Sequence, residues 1–597
     1  MITIAMKTRS QEVKKTRHNW SARAIVLYSC MLVFSSSFMF TSCVDTLILP
    51  DDKTVDEDFW KSKSDVQLMV NGAYQGMLSS NVISRLIVWG DLRSEEMVPV
   101  ASVSSTLQED LAEINLGNTQ TDNQFAEWAP IYSVINRCNL VLARAEAVME
   151  EDPSYTQGDY LSDRSQMLAL RSLCYFYLVR NFRDVPYIID AYTDSSQDRN
   201  VAQSDPETVL AGCLADLAEA EGNAISASAY TDWRRVGYFT KDAINALQAD
   251  IYLWRGSVLH SSADYEQAIV YCDKVIASKK AQHKSQRGEI ADKDYWLAEG
   301  RQAFAEIFID KNAEESIFEL QFDGSNNTNV GNTQYLNHYR DASGAVPYLY
   351  ASSIFRSGGE IFTSANVSAD WRGLMSTYNA IVTVGDFDGL EIRKYVSTNA
   401  SYYPATTNAN AETKNSTYSS TLSMNYIVYR LSDVMLMKAE ALTALAEGDD
   451  DATHLQAAFE LVKNVNVRSR ESEVDSLKWN TFRGSVSSME ELVLAERLRE
   501  LAFEGKRWYD LLRYNYRHSE GVDYSSILAD QTNTVSAYAP MLDLMKRKLS
   551  GKGNAVAAKM NTESKLYMPI PLADLNICPV LKQNPGYSTS DNFSKNY

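Results

Sequence analysis

The chain has 597 residues, 45% of them hydrophobic and 22% charged, an ordinary globular balance with ample material for a large core. Acidic residues outnumber Lys and Arg by 77 to 57, giving a formal charge of −20, which excludes nucleic acid and anionic lipid headgroups as electrostatic partners. Tyrosine is heavily used, with 34 Tyr against 19 Phe, and a ring that carries a hydroxyl suits wet binding surfaces better than a dry core.

The N-terminus reads as a signal peptide. Lys7, Arg9, Lys14, Lys15, Arg17 and Arg23 precede the apolar run 25-IVLYSCMLVFSSSFMF-40, which is shorter than the roughly 20 residues a membrane span needs. The run ends in Thr41-Ser42-Cys43, and a small residue before a cysteine resembles a bacterial lipobox. Residues 1–42 are therefore expected to be removed, with Cys43 lipidated as the anchor of the mature chain and a remaining charge near −25. Asp45, Asp51 and Asp52 follow closely and resemble a surface-export signal. Cys138, Cys174, Cys213, Cys272 and Cys578 are widely spaced without a CxxC, which predicts buried small hydrophobes and no disulfide framework.

Helical periodicity begins at Asp65, where Val66, Met69, Val70, Ala73, Tyr74 and Met77 recur at spacings of three and four. Similar stripes run through Trp128, Tyr132, Ile135, Leu140 and Leu142, and through 167-MLALRSLCYFYLVRNF-182. Two later segments repeat one plan. In 241-KDAINALQADIYLWRG-256 with 265-YEQAIVYCDKVIAS-278, and in 431-LSDVMLMKAEALTALAEG-448 with 455-LQAAFELVKNVNVRSR-470, a helix rich in small residues leads through a short loop to a second helix. Ala249 to Ala268 and Ala439 to Ala458 are both nineteen residues apart, close to the offset of matching small positions in a tetratricopeptide repeat. The fold class predicted is mainly α: a tetratricopeptide-repeat-like helical scaffold over about 60–280 and 426–520, with few short strands.

From about 285 to 425 the periodicity fades into a Ser/Thr/Asn/Gly-rich segment dense in tyrosine. This is predicted to be an irregular, loop-rich insertion carrying a few strands such as 316-SIFELQF-322, and loops of that length are more often functional than idle. A further irregular segment is expected over 521–597. No metal, cofactor or catalytic motif emerges: the histidines are scattered without HxxxH or HxH spacing, and there is no phosphate loop, GxGxxG or GxSxG.

The run 494-LAERLRELAFEGKRWYDLLRYN-515 sets carboxylates among arginines and large apolar residues. Leu494, Leu498 and Leu501 share one helical face while Glu496, Glu500 and Glu504 descend another. Arg499 and Arg507 stand three residues beyond Glu496 and Glu504, and Arg497 stands three before Glu500, a spacing that favours mutual neutralisation over a desolvated general acid.

At these residues the chain resembles the SusD/RagB family, the nutrient-binding outer-membrane lipoproteins of Bacteroidota. The run 496-ERLRELAFEGKRWYDLLR-513 is similar to the family's C-terminal helix signature. Other marks follow in the family's order: 59-FW-60, 72-GAY-74, 90-GDL-92, 128-WAPIYSVINRCN-139, 171-RSLCYFYLVRNFRDVPY-187, 312-NAEESIFELQF-322, 429-YRLSDVMLMKAEA-441, 464-NVNVRSR-470, 567-YMPIP-571 and 583-QNPGY-587. The resemblance implies one SusD-like domain over 43–597 with an irregular ligand-binding portion. It also implies a cell-surface lipoprotein, not an enzyme, that captures oligosaccharides and delivers them to a SusC-like TonB-dependent transporter. A peptide-binding subunit like the RagB branch is the alternative ligand class, and a glycosidase the alternative chemistry.

Sugars offer apolar C–H faces and hydroxyl rims, so aromatic rings flanked by polar side chains are the expected platform. The candidates are Trp89, Asp91 and Arg93 at the early GDL turn, with Tyr335, Asn337, Tyr339, Arg340, Tyr348, Tyr350, Trp371, Tyr402 and Tyr403 in the middle region. Trp371 has a rival role, because Asp370-Trp371-Arg372 resembles a D-x-R element of the family's frame.

Overall fold

The computed structural model describes residues 59–587, apart from 101–104, 195, 289–295, 299, 337–346, 357–359, 363–369, 385–386, 396–422, 471–476, 520–538, 550–552 and 561–562. Its main helices are α1 (Lys63–Met77), α2 (Ser80–Ile87), α3 (Ala129–Glu151), α4 (Gln157–Phe182), α5 (Pro206–Asn223), α6 (Lys241–Leu259), α7 (Ser262–Arg287), α8 (Leu431–Leu445), α9 (Ala452–Arg468), α10 (Val486–Leu501) and α11 (Arg507–Arg517). The strands are short: β1 (Met97–Pro99), β2 (Val185–Pro186), β3 (Gln203–Ser204), β4 (Ser316–Leu320), β5 (Leu349–Ser352), β6 (Thr377–Val384), β7 (Phe387–Ile392) and β8 (Tyr426–Arg430). The fold is mainly helical, as the periodicity predicts.

Helix starts are written locally. Ser62 caps α1 and Thr156 caps α4, each in a reciprocal box with the aspartate three residues on, Asp65 and Asp159. Asp205 caps α5, with Pro206 at the first helical position where its missing N–H costs nothing. In α1 the predicted stripe is buried at Val66, Val70, Ala73, Tyr74 and Met77, while Met69 is half-buried.

The two predicted hairpins are α6 with α7 and α8 with α9. Ala249, Ala268, Ala439 and Ala458 are all fully buried, since a methyl group is what lets the paired helices approach. The hairpins stack through α7 against α8, as repeats do when neither buries its apolar face alone. Leu431, Met435 and Leu436 of α8, Leu455, Phe459 and Val462 of α9 and Met489, Leu492 and Val493 of α10 share one core.

Among the described residues, the middle region carries the few short strands expected of it. β5, β6 and β7 form an antiparallel sheet in the order β1-β5-β7-β6, so the early chain supplies its edge strand, with Val98 opposite Tyr350 and Ala351 opposite Leu390. β4 pairs with β8, which leads directly into α8, with Glu319 opposite Ile427. The C-terminal segment likewise holds helices at Ala539–Lys546, Gly553–Lys559 and Leu572–Ile577.

Candidate functional site

The early candidates prove to be interior. α2 runs into a π turn, Val88–Leu92, which turns Trp89 and Asp91 inward. The Trp89 indole is fully buried, donates from Nε1 to the Phe125 carbonyl at 2.8 Å and meets Phe182 edge-on at 5.7 Å. Asp91, equally buried, accepts the backbone N–H of Gly505 at 3.0 Å. Arg93 lies 4.2 Å over the Trp508 ring and donates to the Leu566 carbonyl at 2.5 Å. These three side chains offer no surface to a sugar; they brace the start of the chain against its C-terminal signature.

Of the middle-region candidates, Tyr335, Tyr350 and Trp371 are also buried. Tyr335 packs edge-on between Phe125 at 6.1 Å and Tyr348 at 5.2 Å, Tyr350 sits in β5, and the Trp371 backbone N–H donates to the Ser469 carbonyl at 2.9 Å. Among the described candidates Tyr348 alone is half-buried, at the end of the Phe125–Tyr335–Tyr348 row. Asn337, Tyr339, Arg340, Tyr402 and Tyr403 lie outside the described residues, as does Cys43.

The run at 494–515 resolves into buried ion pairs, mostly with partners remote in sequence. Glu496 does bind Arg499 at 2.8 Å as the spacing predicts, but Arg497 turns to Asp433 at 3.0 Å and Asp510 at 2.9 Å, and Arg507 turns to Glu95 at 2.5 Å. Glu500 is held by Arg372 at 3.0 Å, by Arg430 at 2.5 Å and by Arg468. Glu504 takes Arg430 at 2.8 Å and Lys394 at 2.5 Å. Arg372 also binds Asp370 at 2.8 Å and Glu496 at 2.8 Å, which gives the D-x-R element its place in the frame. Burial alone would push Glu500 up, yet Arg468, Arg430 and Arg372 together hold its carboxyl well below the usual range. Burial acts likewise on Glu504, where Arg430 and Lys394 prevail and the carboxyl stays low. A general acid needs the opposite shift. Asp91 and Glu96 have it: burial pushes Asp91 up to about 7, and burial with the neighbouring Asp91 pushes Glu96 well above its ordinary value. With 0% and 1% exposure, neither meets a solute.

A cavity of about 330 Å³ opens between the hairpins and α10 and α11, lined by His260, Tyr265, Glu440, Glu490, Arg517 and His518 over an apolar floor that includes Val493 and Leu494. Histidines that look scattered in sequence thus share one cavity, brought there by the ends of α6 and α11. Arg517 spans it, 2.6 Å from Glu440 and 2.7 Å from Glu490, and His518 lies 2.6 Å from Glu490. Spacing could not reveal this grouping, because five helices contribute to it. Among the described residues no cluster of His, Cys, Asp and Glu is placed to hold a metal ion, and no helix is long and apolar enough to cross a membrane. Cys138, Cys174, Cys213 and Cys272 are buried free thiols, as small hydrophobes would be, whereas Cys578, expected to be buried with them, is a free thiol only half-buried after the short C-terminal helix.

Comparison with known proteins agrees with this architecture. Residues 347–587 match the SusD family model, and residues 48–253 match a SusD-like model described as starch-binding and associating with the outer membrane. SusD-like protein P38 of Formosa agariphila is 25% identical over 511 residues, covering 81% of this chain and 90% of its own. SusD-like protein P2 of the same organism is 23% identical over 473 residues, covering 76% and 85%. Among solved structures, a SusD homolog from Bacteroides thetaiotaomicron, 18% identical, covers 89% of this chain and 98% of its own with a TM-score of 0.65. NanU of B. fragilis, also 18% identical, covers 90% and 100% with a TM-score of 0.57. SusD models matching residues 48–253 and 347–587, with SusD-like relatives aligned along most of the length, make the conclusion plain: the chain belongs to the SusD-like family.

Proposed function

We propose that the protein is a cell-surface glycan-binding lipoprotein that captures oligosaccharides and delivers them to a SusC-like TonB-dependent transporter. The observation that carries this reading is the match of residues 48–253 to a family described as starch-binding and associating with the outer membrane. Residues 43–597 act as one domain, anchored through a lipid on Cys43. Ligand contact falls to the Tyr-rich middle segment, with Tyr348 at its described edge and Asn337, Tyr339, Arg340, Tyr402 and Tyr403 beyond it. Stacking and hydrogen bonds there are worth about a kcal/mol each, so several subsites must act together. The paired, ionised glutamates of the 494–515 run support binding without turnover.

Affinity electrophoresis and calorimetry against a polysaccharide panel test the reading. Retardation by at least one glycan, weakened by Tyr402→Ala with Tyr403→Ala and without new reducing ends, is the expected result. Silence with every glycan overturns it. Cys43→Ala should release the protein from the membrane fraction, and retention there would refute the anchor.

A further inference from the structure

The segment between α5 and α6 carries the most exposed tryptophan among the described residues. Trp233 is 45% exposed, yet its position is fixed. The inner side of the indole rests on Gly237, where a Cβ would come within 2.6 Å of the indole Cε3, and its edge meets Tyr238 at 5.3 Å. Tyr238 is in turn stacked on the buried Tyr74 at 5.3 Å and donates from its hydroxyl to Asn71 Oδ1 at 3.1 Å. Tyr230, half-buried, stands nearly perpendicular to the same ring at 6.2 Å.

Polar groups rim these rings. The Arg234 guanidinium lies 5.2 Å over Tyr230 and forks onto both oxygens of Asp232 at 3.0 and 2.8 Å. That pair is neutral as a unit, so the site has hydrogen-bonding capacity without a net charge to attract an ion. A ring held in place has already lost its rotamer freedom, which lowers the cost of ordering it around a ligand. An apolar face beside a fork of donors and acceptors matches the C–H face and hydroxyl edge of a neutral pyranose.

We propose that Trp233, Tyr230 and Tyr238, with Arg234 and Asp232 on the rim, form a second glycan subsite for a neutral oligosaccharide. It is built from residues 71 and 230–238, none of them in the Tyr-rich middle segment. The inference rests on the reading that the chain binds glycans. A second subsite on the same chain raises avidity for a polymer without changing affinity for a ligand too short to reach both.

The test is affinity electrophoresis of the wild type, Trp233→Ala, Trp233→Phe and Tyr402→Ala/Tyr403→Ala in gels containing starch, xylan, β-glucan or galactomannan, with thermal melts as a folding control. On whichever polymer retards the wild type, Trp233→Ala should raise the apparent Kd about three- to tenfold, the loss of one stacked sugar, and Trp233→Phe should recover most of it. Wild-type retardation of Trp233→Ala on every polymer that binds overturns the second subsite and leaves the main reading standing. Failure of the wild type to bind any polymer overturns both.

Discussion

Gly90 lies against Gly505: a Cβ added at Gly90 would sit 2.2 Å from the Gly505 carbonyl oxygen, and Gly505 itself holds a φ of +72°. The early GDL turn and the late EGKRW turn therefore meet backbone to backbone, closed by the Asp91 carboxyl on the Gly505 N–H. The obstructing atoms are backbone and cannot swing aside. Gly90→Ala should destabilise by about 3 kcal/mol or prevent folding, at or beyond the usual range for overpacking. Gly505→Ala meets both the positive φ and the Tyr426 hydroxyl, whose oxygen would stand 2.2 Å from the added Cβ, and should behave alike. Urea titration of both variants checks this; a wild-type midpoint for either would contradict the contact.

Glu500 accepts from three arginines while only 3% exposed. Glu500→Gln leaves Arg372, Arg430 and Arg468 under-neutralised in the interior, an error that costs about 3–5 kcal/mol in buried pairs. The surface pair Lys274–Glu221, whose lysine is 41% exposed, is the control: Glu221→Gln should change stability by about 1 kcal/mol or less. Equal effects in chemical denaturation would mean that the buried frame is no more costly to break than a surface pair.

Stability should fall on both sides of a middle pH. Glu500 and Glu504 have folded pKa values below their unfolded ones, so their contribution is present above the unfolded value and lost as pH falls through the folded one. Asp91 runs the other way. Its folded value is about 7 against an unfolded value of about 3.9, so its contribution is complete below the unfolded value and lost as pH rises through 7. Asp91→Asn keeps an acceptor for Gly505 and should flatten the limb between pH 4 and 7, removing a slope of up to about 1.4 kcal/mol per pH unit. An unchanged slope in denaturation midpoints across that range would rule Asp91 out as its source.

Ala268 and Ala458 occupy matching places on the second helices of the two hairpins, and both are fully buried. Leucine at either would force paired helices apart, at a cost of about 1–3 kcal/mol. Similar falls in melting temperature for Ala268→Leu and Ala458→Leu are expected; an effect at only one would break the equivalence of the repeats.

The helical scaffold was legible because its information is periodic and local. The α1 stripe, the nineteen-residue alanine offsets and the Ser62 and Thr156 caps each act within a few turns of their own sequence. Ion pairing was legible as a type of contact but not as a set of partners. Only Arg499 found the glutamate three residues away, while Arg372, Arg430, Arg468 and Lys394 arrive from segments that no spacing rule connects to α10. The candidates at the early GDL turn are interior for a related reason. Trp89, Asp91 and Arg93 carry the residue types of a sugar platform, yet the π turn aims them inward. Trp233 carries no such signal, because its placement depends on Gly237 and Tyr238 rather than on any pattern around it.

The ion-pair frame also sets the order in which the chain can finish folding. Arg430 finds Glu500 and Glu504 only 70 and 74 residues downstream, and Glu95 waits 412 residues for Arg507. Until α10 and α11 exist, these charges lack the partners that neutralise them in the folded chain and favour water over the interior. The frame is thus complete only once the chain has reached Arg507, and its waiting charges disfavour earlier burial, as a polypeptide threaded across a membrane before folding would require. A version ending at Phe503 should remain protease-sensitive throughout, and resistance to limited proteolysis in its helical hairpins would show that the lock closes earlier.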